Sequence, residues 1–470
     1  MTPEISRRHF LVKAAIVAPS LAGLVACTDR SFFDPTNPED AALLRGGRRP
    51  VGLGRGGYGE LQVYSRYPAI SLPPGFHAQL ISTTGDVMSD GNLTPNAMDG
   101  MGAFHAGGNR VRLVRNAEVR NGRNDPNRVT LGNANLYDEF GPSGNTTVEV
   151  EVRPDGSAER VRDFVSLAGT YVNCAGGETP WGSWISCEET VAGTNVGWGQ
   201  NHGYNFEIPS AANGPVVPVP LREMGRFVHE AVAVDPDTGI VYQTEDRNPS
   251  GFYRFIPKVK GRLEMGGTLE MLAINGKPQY DTRTGQMVGM SGEVAWVPIE
   301  QPDSEQPNIS SGFVFNQGFA LGGAQFSRLE GCWWGDGGVY FNATSGGDAG
   351  AGQVFKYTPG KGKDGGSITL VFESPGFDVL NSPDNICISP RGGIVICEDG
   401  SGTNFVRGIT PAGQVFDLVR NNANDSEWAG ACFSPQGRTL FVNIQGSTNS
   451  ASSTLGQTYA IWGPWESGAL

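Results

Sequence analysis

Acidic residues open and close a short unit that recurs along this chain. In each copy two apolar runs flank a turn, as in HEAVAVDPDTGIVYQTED from His229, DNICISPRGGIVICEDG from Asp384 and EWAGACFSPQGRTLFVNIQ from Glu427, where Asn replaces the closing acid. Two such runs form an antiparallel hairpin, which places the end of its second strand beside the start of its first. The acids of one unit therefore meet at one end of the hairpin, and several carboxylates held that close need cations to neutralise them. The repeat predicts a metal site.

Six hairpins of this kind can be identified. Four strands per unit, arranged radially, make a β-propeller, in which the acidic ends of all hairpins converge on one mouth of a central channel. We therefore predict an all-β, six-bladed β-propeller with a metal-binding, acidic channel mouth; a β-sandwich or a two-domain β protein is the alternative. The first strands open at Asp99, Cys174, Glu230, Glu330, Asp384 and Glu427. The second strands end at Glu118, at Glu188 with Glu189, at Glu245 with Asp246, in the stretch YFNATSGG, at Glu398 with Asp399, and at Asn443.

Other runs supply the remaining strands. The pairs GQVFKYTPG with GSITLVFES and FVRGITPAG with GQVFDLVRN are typical of outer strands. YAIWGPW near the C-terminus is predicted to be an inner or middle strand of the last blade, and FHAQLIST near the N-terminus its outer edge. Such closure leaves no open sheet edge.

Composition agrees with this fold and excludes one class of partner. The 470 residues include 68 Gly and 31 Pro, which favours many short strands joined by turns. The formal net charge of -13 argues against nucleic acid, because phosphate backbones select clustered Lys and Arg. Multivalent cations are the partners that this charge favours.

The first residues are predicted to be an export signal. Arg7 and Arg8 precede the apolar run AAIVAPSLAGLVA, which is short for a transmembrane helix and is typical of a twin-arginine signal peptide spanning residues 1–27. The run ends at Cys27 in a sequence that resembles a lipoprotein processing site, so Cys27 is either lipidated or lies near an ordinary cleavage site. We predict a linker over 28–60, a single propeller domain over 61–470, and a periplasmic or extracellular location.

Six cysteines follow the signal, and none of them forms a C-x-x-C pair. Cys187, Cys387, Cys397 and Cys432 lie in apolar strand-like runs and are predicted to be buried. Cys174 differs because it occupies, in NCAGGETPWGS, the position that acids hold in other units. A thiolate favours iron or zinc, whereas carboxylate oxygens favour calcium, so a mixed site is expected.

His229 and Glu230 are neighbours at the start of one unit. Successive residues of a strand face opposite sides, so at most one of the two enters the channel. We favour Glu230.

Several long motifs together resemble the PhoX-type alkaline phosphatase family of exported bacterial enzymes. They include NCAGGETPWGSWISCEE, GRFVHEAVAVDPDTGIVYQTEDRNPSGFYRF, RLEGCWWGDGGVYF and SPDNICISPRGGIVICEDG, and the similarity runs from about Asp99 to Trp465. The resemblance implies a six-bladed propeller with a calcium (Ca2+) and ferric iron (Fe3+) cluster that removes phosphate from monoesters. It also implies that Cys174 is an iron ligand and that Arg328 holds the substrate phosphate. The carboxylate ligands that it implies are Glu118, Glu230, Glu330, Asp384 and Glu427.

The chain departs from this family pattern in two places. Where the family usually has Asn-His-Glu, this sequence has Asn116, Ala117 and Glu118, so a group beside a predicted ligand is missing. Members of the family are often longer, and an insertion is predicted at about 261–310, between the third and fourth blades.

The sequence therefore favours an exported, metal-dependent phosphomonoesterase, an alkaline phosphatase that acts as a monomer on small phosphoesters. One alternative is a calcium-dependent propeller lactonase or another hydrolase. Arg328 favours the phosphomonoesterase over the lactonase, since a lactone has no phosphate dianion for an arginine to bind. A non-catalytic binding propeller stabilised by metal is the other alternative, and Ala117 is the residue that favours it.

Overall fold

The computed structural model describes residues 57–122, 125–126, 128–129, 135–361, 365–448 and 453–470. In these residues strands dominate, and the one α-helix is α1 (Phe313–Ala320). Short 3-10 helices lie at Thr194–Val196, Arg222–Met224, Leu263–Met265 and Trp465–Ser467. No helix in the described residues is both long and apolar enough to span a bilayer.

Three strands precede the repeats: β1 (Gln62–Val63), β2 (Ile70–Leu72) and β3 (His77–Thr83). Six antiparallel units follow, which we number as blades one to six, and each begins with its innermost strand. Blade one contains β4 (Met98–His105), β5 (Arg110–Ala117), β6 (Ser143–Val152) and β7 (Ala158–Thr170). Blade two contains β8 (Asn173–Glu178), β9 (Ser183–Glu188) and β10 (Asn205–Pro209). Blade three contains β11 (His229–Val234), β12 (Val241–Glu245), β13 (Phe252–Pro257) and β14 (Gly267–Ile274).

The second half of the chain repeats this order after β15 (Ser291–Pro298). Blade four contains β16 (Leu329–Gly335), β17 (Gly338–Ala343), β18 (Gln353–Pro359) and β19 (Gly366–Glu373). Blade five contains β20 (Pro383–Ile388), β21 (Ile394–Glu398), β22 (Phe405–Ile409) and β23 (Val415–Asn421). Blade six contains β24 (Trp428–Phe433), β25 (Thr439–Ile444) and β26 (Gln457–Trp462).

The six inner strands β4, β8, β11, β16, β20 and β24 pack against one another in a closed ring. The propeller is closed at blade six, where the N-terminal strand β3 pairs antiparallel with β26 and forms the outer edge of the blade. The predicted six-bladed propeller is confirmed, as are its closure by both ends of the chain and the outer strands predicted for blades four and five.

Blades three and four are joined into one nine-stranded sheet. Strand β15 pairs with β14 of blade three on one side and with the start of β19 of blade four on the other. Both β14 and β15 lie within the segment predicted as an insertion at 261–310. Because β14 is the fourth strand of blade three, residues 267–274 of that segment belong to the propeller itself.

Apolar side chains fill the spaces between blades, and the six cysteines that follow the predicted signal are buried and free. The predicted burial of Cys187, Cys387, Cys397 and Cys432 is confirmed. Tyr58, placed by the sequence in the linker over 28–60, is also buried, and its hydroxyl lies 3.0 Å from the carbonyl oxygen of Trp465. The packed part of the chain therefore includes residues before 61. Cys27 and the predicted signal peptide lie outside the described residues.

Candidate metal centre

Each inner strand carries a β-bulge near its start. In blades one to five the pairing shifts register after the first strand residue, and in blade six it shifts one residue later. A bulge sets two residues against one and turns a side chain out of the regular alternation. We call the second residue of each inner strand the bulge position. It is an acid or a cysteine in five of the six blades: Asp99, Cys174, Glu230, Glu330 and Asp384, with Ala429 in blade six.

In five of the six blades the residue after the bulge position is glycine or alanine, and neighbouring inner strands approach closely there; in blade five it is Asn385. A Cβ on Gly331 would lie 2.4 Å from the carbonyl oxygen of Asp384, and a Cβ on Gly100 would lie 2.6 Å from the Cα of Ala175. Any larger side chain would push two blades apart at the level of the acids. The glycines thus allow the bulge positions of adjacent blades to come together.

A backbone hydrogen bond ties each second strand to the start of its inner strand. The first residue after the second strand, which we call the closing position, donates its N–H to the carbonyl of the residue before the inner strand, the opening position. The donor and acceptor atoms are 2.8–3.2 Å apart in all six blades. From donor to acceptor the pairs are Glu118 and Ala97, Glu189 and Val172, Asp246 and Val228, Thr344 and Arg328, Asp399 and Ser382, and Gln445 and Glu427.

Four opening positions have a left-handed backbone without being glycine. Ala97, Val172, Arg328 and Ser382 have φ between 50° and 54°. Such a conformation is unfavourable, above all for a β-branched residue such as Val172, and costs on the order of 1 kcal/mol or more at each site. The turn that it produces leads directly into the bulge, so the strain is concentrated where the acids are positioned.

Blade six differs from the sequence-based alignment by two residues. Glu427 was matched with Glu330, but it occupies the opening position, the counterpart of Arg328. The closing position is Gln445 rather than Asn443, whose side-chain amide donates to the carbonyl of Asp99. Residues two apart on a strand share a face, so Glu427 faces the mouth as predicted although it occupies a different position.

Side chains from all three kinds of position line one cavity of about 300 Å³, which we call the mouth. It contains every residue predicted as a metal ligand or phosphate contact. Those are Cys174, Glu118, Glu230, Glu330, Asp384, Glu427 and Arg328. The other residues that line it are Asp99, Glu189, Asp246, Asp399, Arg120, Gln445 and Thr448.

All four of these additional acids had a signal in the sequence. Asp99 opens a predicted unit, and Glu189, Asp246 and Asp399 each end one, although none was assigned as a ligand. Arg120 was missed altogether. It follows Glu118 by two residues, and the period of an extended chain could have placed it on the same face.

The ligand atoms of the mouth form four overlapping groups, in each of which three atoms lie within 4.8 Å of one another. One group combines the thiol of Cys174 with Glu189 and Glu230. The others contain carboxylates alone: Asp99, Glu118 and Glu427; Glu230, Glu330 and Asp384; and Asp384, Asp399 and Glu427. Shared members connect the four groups into one cluster.

Electrostatics show that the cluster suits cations. Nine carboxyl groups line the mouth, against two guanidinium groups. Burial raises the pKa of Asp99, Glu230, Glu330 and Glu427 well above the ordinary value, and neighbouring carboxylates raise it further. Burial, followed by repulsion from Asp399, raises the pKa of Asp384 to about 7. One oxygen of Asp99 is buried without a hydrogen-bond partner. These groups fit bound multivalent cations, which would supply the missing positive charge.

The thiol of Cys174 is held inside the ring of inner strands. Its Sγ lies 3.3 Å from the carbonyl oxygen of His229 and 3.5 Å from that of Glu230. Burial and then the charge of Glu230 raise the pKa of this thiol. A bound transition metal reverses that preference, because the thiolate is the form that coordinates.

Two arginines stand at different sides of the mouth. The Nε and Nη2 atoms of Arg328 each donate to Asp246 at 2.9 Å, and Nη2 also donates to Glu330 at 2.7 Å. Arg120 forms ion pairs with Glu118 and Glu189. Burial lowers the pKa of both arginines, but the adjacent carboxylates outweigh it and raise the pKa. The planar fork of Arg328, which the family resemblance assigns to the substrate phosphate, is therefore engaged by two oxygens of Asp246.

The departure at Ala117 lies away from the ligand atoms. Ala117 is buried in an apolar cluster that includes Ala97 and Val165. Asn116 faces the other side, where its amide donates to the carbonyls of Cys174 and Ala175 at 2.9 and 2.7 Å. His229 is likewise outside the mouth and packs on Phe227, while Glu230 enters it.

Fold and site together define a β-propeller with a carboxylate and thiol centre at one end of its channel. The sequence profile of the alkaline phosphatase PhoX family matches residues 56–447. The chain belongs to this family.

A solved structure agrees with this assignment at the level of the fold. The chain is similar to Pseudomonas fluorescens PhoX, solved in complex with vanadate, a transition state analogue, with 19% identity and a TM-score of 0.66 over 86% of this chain and 97% of that chain. Similarity to a gluconolactonase of Xanthomonas campestris is weaker, with 12% identity and a TM-score of 0.42 over 84% of this chain and 98% of that chain. No curated protein matched the chain.

Proposed function

We propose that this protein is an exported alkaline phosphatase that binds calcium and ferric iron at the mouth and releases phosphate from small phosphomonoesters. The observation that carries the proposal is the convergence of one thiol, nine carboxyl groups and two arginines on one cavity of a PhoX-family propeller. A phosphomonoester carries a dianion, and a cavity with this many acids can accept it only after cations reverse the local charge.

The donor sets suggest which ion each part of the mouth would hold. Cys174 with Glu189 and Glu230 supplies the soft donor that selects iron over calcium. The groups made only of carboxylates supply hard oxygen donors, which calcium prefers. When bound, these cations would supply Lewis-acid activation of the phosphoryl group and neutralise charge that develops on it.

Arg328 is proposed to bind the phosphoryl group from the edge of the mouth. Asp246 and Glu330 hold its Nε and Nη2, and Nη1 makes no hydrogen bond to any of the described residues. The side chain is 41% exposed, so Nη1 can donate to a phosphate oxygen while Asp246 keeps the guanidinium in place. Arg120, held by Glu118 and Glu189, would add a second positive charge. Fixed donors that need no rearrangement stabilise transition-state charge most effectively.

The proposal includes the cellular route. Arg7 and Arg8 precede the apolar run that ends at Cys27, a pattern that supports twin-arginine export to the periplasm or beyond, with or without a lipid anchor. Replacing both arginines by Lys should leave precursor in the cytoplasm. Normal export of that variant would rule out this route.

Reconstitution tests the function directly. The full chain is stripped of metal, reloaded with calcium, with iron, or with both, and assayed with p-nitrophenyl phosphate while bound metal is quantified. We expect hydrolysis only with both ions. A sugar lactone serves as the comparison substrate, because the lactonase alternative predicts lactone opening without phosphomonoesterase activity. If the loaded protein retains both ions and acts on neither substrate, the binding-propeller alternative holds.

A further inference from the structure

Two aromatic residues of blade two, Tyr171 and Trp198, lie in contact with each other beside Arg120 of the mouth. The rings of Tyr171 and Trp198 are 4.2 Å apart between centroids and are inclined by 38°. Both side chains are half-buried. The Tyr171 hydroxyl donates to the carbonyl of Arg120 at 2.9 Å, which places the pair beside an arginine of the mouth.

Topology explains why this pair is on the mouth side. Tyr171 directly precedes the opening position Val172, and Trp198 lies in the connection that leaves the closing position Glu189. Opening and closing positions meet at the mouth end of every blade, so both aromatic residues extend from that end.

Buried charged groups hold the connection that carries Trp198. Asp138 accepts from the N–H groups of Gly199 and Gln200 at 2.7 and 2.9 Å. The buried imidazole of His202 bridges Asp138, at 3.2 Å, and Glu188, at 2.6 Å. These buried contacts fix the backbone of the loop on both sides of the residue that follows Trp198.

His202 also supports the aromatic pair from behind. Its ring packs nearly edge-on against Trp198 and Tyr171, with centroid distances of 5.4 and 5.8 Å. Because both ring nitrogens are engaged by carboxylates, the imidazole cannot turn away. Tyr171 and Trp198 therefore form a preorganised surface, which we call the aromatic shelf.

We propose that the aromatic shelf binds the planar aromatic group of aryl or nucleoside phosphomonoesters by stacking. This inference rests on the proposed phosphatase function. The mouth itself is lined by charged and polar side chains, which suit the phosphoryl group and offer little to an apolar leaving group. The shelf supplies apolar area beside Arg120, and flat rings stack favourably on tyrosine and tryptophan. The protein thus prefers aromatic over aliphatic phosphomonoesters.

The test compares two substrates in one set of variants. For Trp198→Ala we expect the ratio of kcat/KM for p-nitrophenyl phosphate to kcat/KM for glycerol 3-phosphate to fall roughly three- to tenfold, mainly through KM. Trp198→Leu keeps apolar bulk without a ring and should lower the ratio similarly, whereas Trp198→Phe should restore much of it. Trp334→Ala is the matched control, because Trp334 is half-buried near the far end of β16. The control should leave the ratio at the wild-type value.

A binding measurement separates this inference from the proposed function. The metal-loaded protein is titrated calorimetrically with phenylphosphonate and with methylphosphonate, which are not hydrolysed as monoesters. The wild type should bind the phenyl compound more tightly, and Trp198→Ala and Trp198→Leu should remove the difference. If the ratio of substrates or of phosphonate affinities is the same in wild type and both variants, the aromatic shelf is not a binding site. A wild type that binds phenylphosphonate preferentially but hydrolyses neither monoester would overturn the phosphatase function and leave the shelf standing.

Discussion

Adjacent acids in three blades have opposite roles. Glu188, Glu245 and Glu398 are the last residues of second strands and point into their own blades, and we call them the blade acids. The next residue in each case, Glu189, Asp246 or Asp399, points into the mouth.

The difference lies in what surrounds each carboxylate. Glu398 accepts from the backbone N–H groups of Asn381 and Phe405 and from Nε of buried Arg407, at 2.9, 3.1 and 2.8 Å. Glu245 accepts from the N–H of Gly251 and the hydroxyl of Tyr253. Protein donors thus satisfy both oxygens of Glu398 and one oxygen of Glu245, whose other oxygen has the guanidinium of Arg247 4.0 Å away. The mouth acids crowd against each other, and cations must take the place of those donors. The same residue type therefore stabilises a blade at one position and prepares a metal site at the next.

Metal removal should give the largest contrast between the two regions. A chelator leaves the mouth acids unneutralised, so we expect activity to disappear and the melting temperature to fall by about 10 °C, since an ion bound only by the folded state stabilises it. The blade acids need no ion, so the strand signal in circular dichroism should persist below the melting temperature. Activity, melting temperature and calcium add-back are measured together. Unchanged melting and activity after complete chelation would contradict a calcium cluster.

Arg328 should give the next largest effect, confined to the mouth. Arg328→Ala removes the group proposed to contact phosphate, and kcat/KM should fall on the order of 10²- to 10³-fold. Arg328→Lys keeps a positive charge but loses the paired contacts to Asp246, so it should lose less activity and bind inhibitory phosphate more weakly. Metal content and melting temperature serve as controls and should change little. If Arg328→Ala matches the wild type, the arginine has no catalytic role.

Cysteines in the two regions should also respond differently. Cys174→Ser replaces a soft ligand at the mouth by a weak hydroxyl donor, so iron content per folded molecule should drop. Cys432 is buried among Phe441 and Ala460, and Cys432→Ser should lower stability while iron content is kept. Iron is quantified on protein that passes size-exclusion chromatography. Full iron occupancy in Cys174→Ser would show that the thiolate of Cys174 is not an iron ligand.

The blade acids show where sequence reasoning reached its limit. The repeated hairpin predicted that acids converge at one end, and it predicted six blades, because turn chemistry and apolar runs are local properties. It did not predict which of Glu188 and Glu189 enters the mouth. Successive side chains of a strand point to opposite faces, but the sequence alone does not show which face lines the mouth. The bulge at Asp99 and its counterparts was equally hidden, because it depends on how neighbouring blades pack. In blade six the bulge position is Ala429, which is not an acid, so the sequence pattern wrongly assigned Glu427 to that position.

Substitution of a blade acid should affect stability, whereas substitution of the acid next to it in the mouth should affect calcium content. Glu398→Gln breaks a buried ion pair with Arg407 and should lower the free energy of unfolding by about 3 kcal/mol, with calcium content kept in the folded fraction. Asp399→Asn removes one mouth oxygen charge, so it should reduce calcium content while the metal-free protein keeps its stability. Denaturation of the metal-free proteins and calcium analysis of the loaded ones check both. Equal loss of calcium in the two variants would erase the distinction between blade acids and mouth acids.

The smallest effect concerns pH and the blade acid Glu188. Burial lowers the pKa of His202, but the charges of Glu188 and Asp138 outweigh it and raise this pKa from 6.5 to about 9. A raised pKa means that the folded protein holds a proton that the unfolded chain releases. The stabilisation is therefore complete below about pH 6.5 and is lost as pH rises through about 9.

We expect the metal-loaded protein to lose on the order of 2 kcal/mol of unfolding free energy between pH 6.5 and 9 through this histidine. The loaded protein is used because mouth acids with raised pKa values would add a slope of the same sign, and bound cations keep those acids ionised at both pH values. His202→Gln should flatten the dependence by that amount, whereas His77→Gln, at an exposed end of β3, should not. Urea denaturation at pH 6.5, 7.5 and 9 provides the measurement. If the unfolding free energy of His202→Gln depends on pH as steeply as that of the wild type, the ion pair with Glu188 does not stabilise blade two. Blade acids and mouth acids would then differ in position but not in their effect on stability.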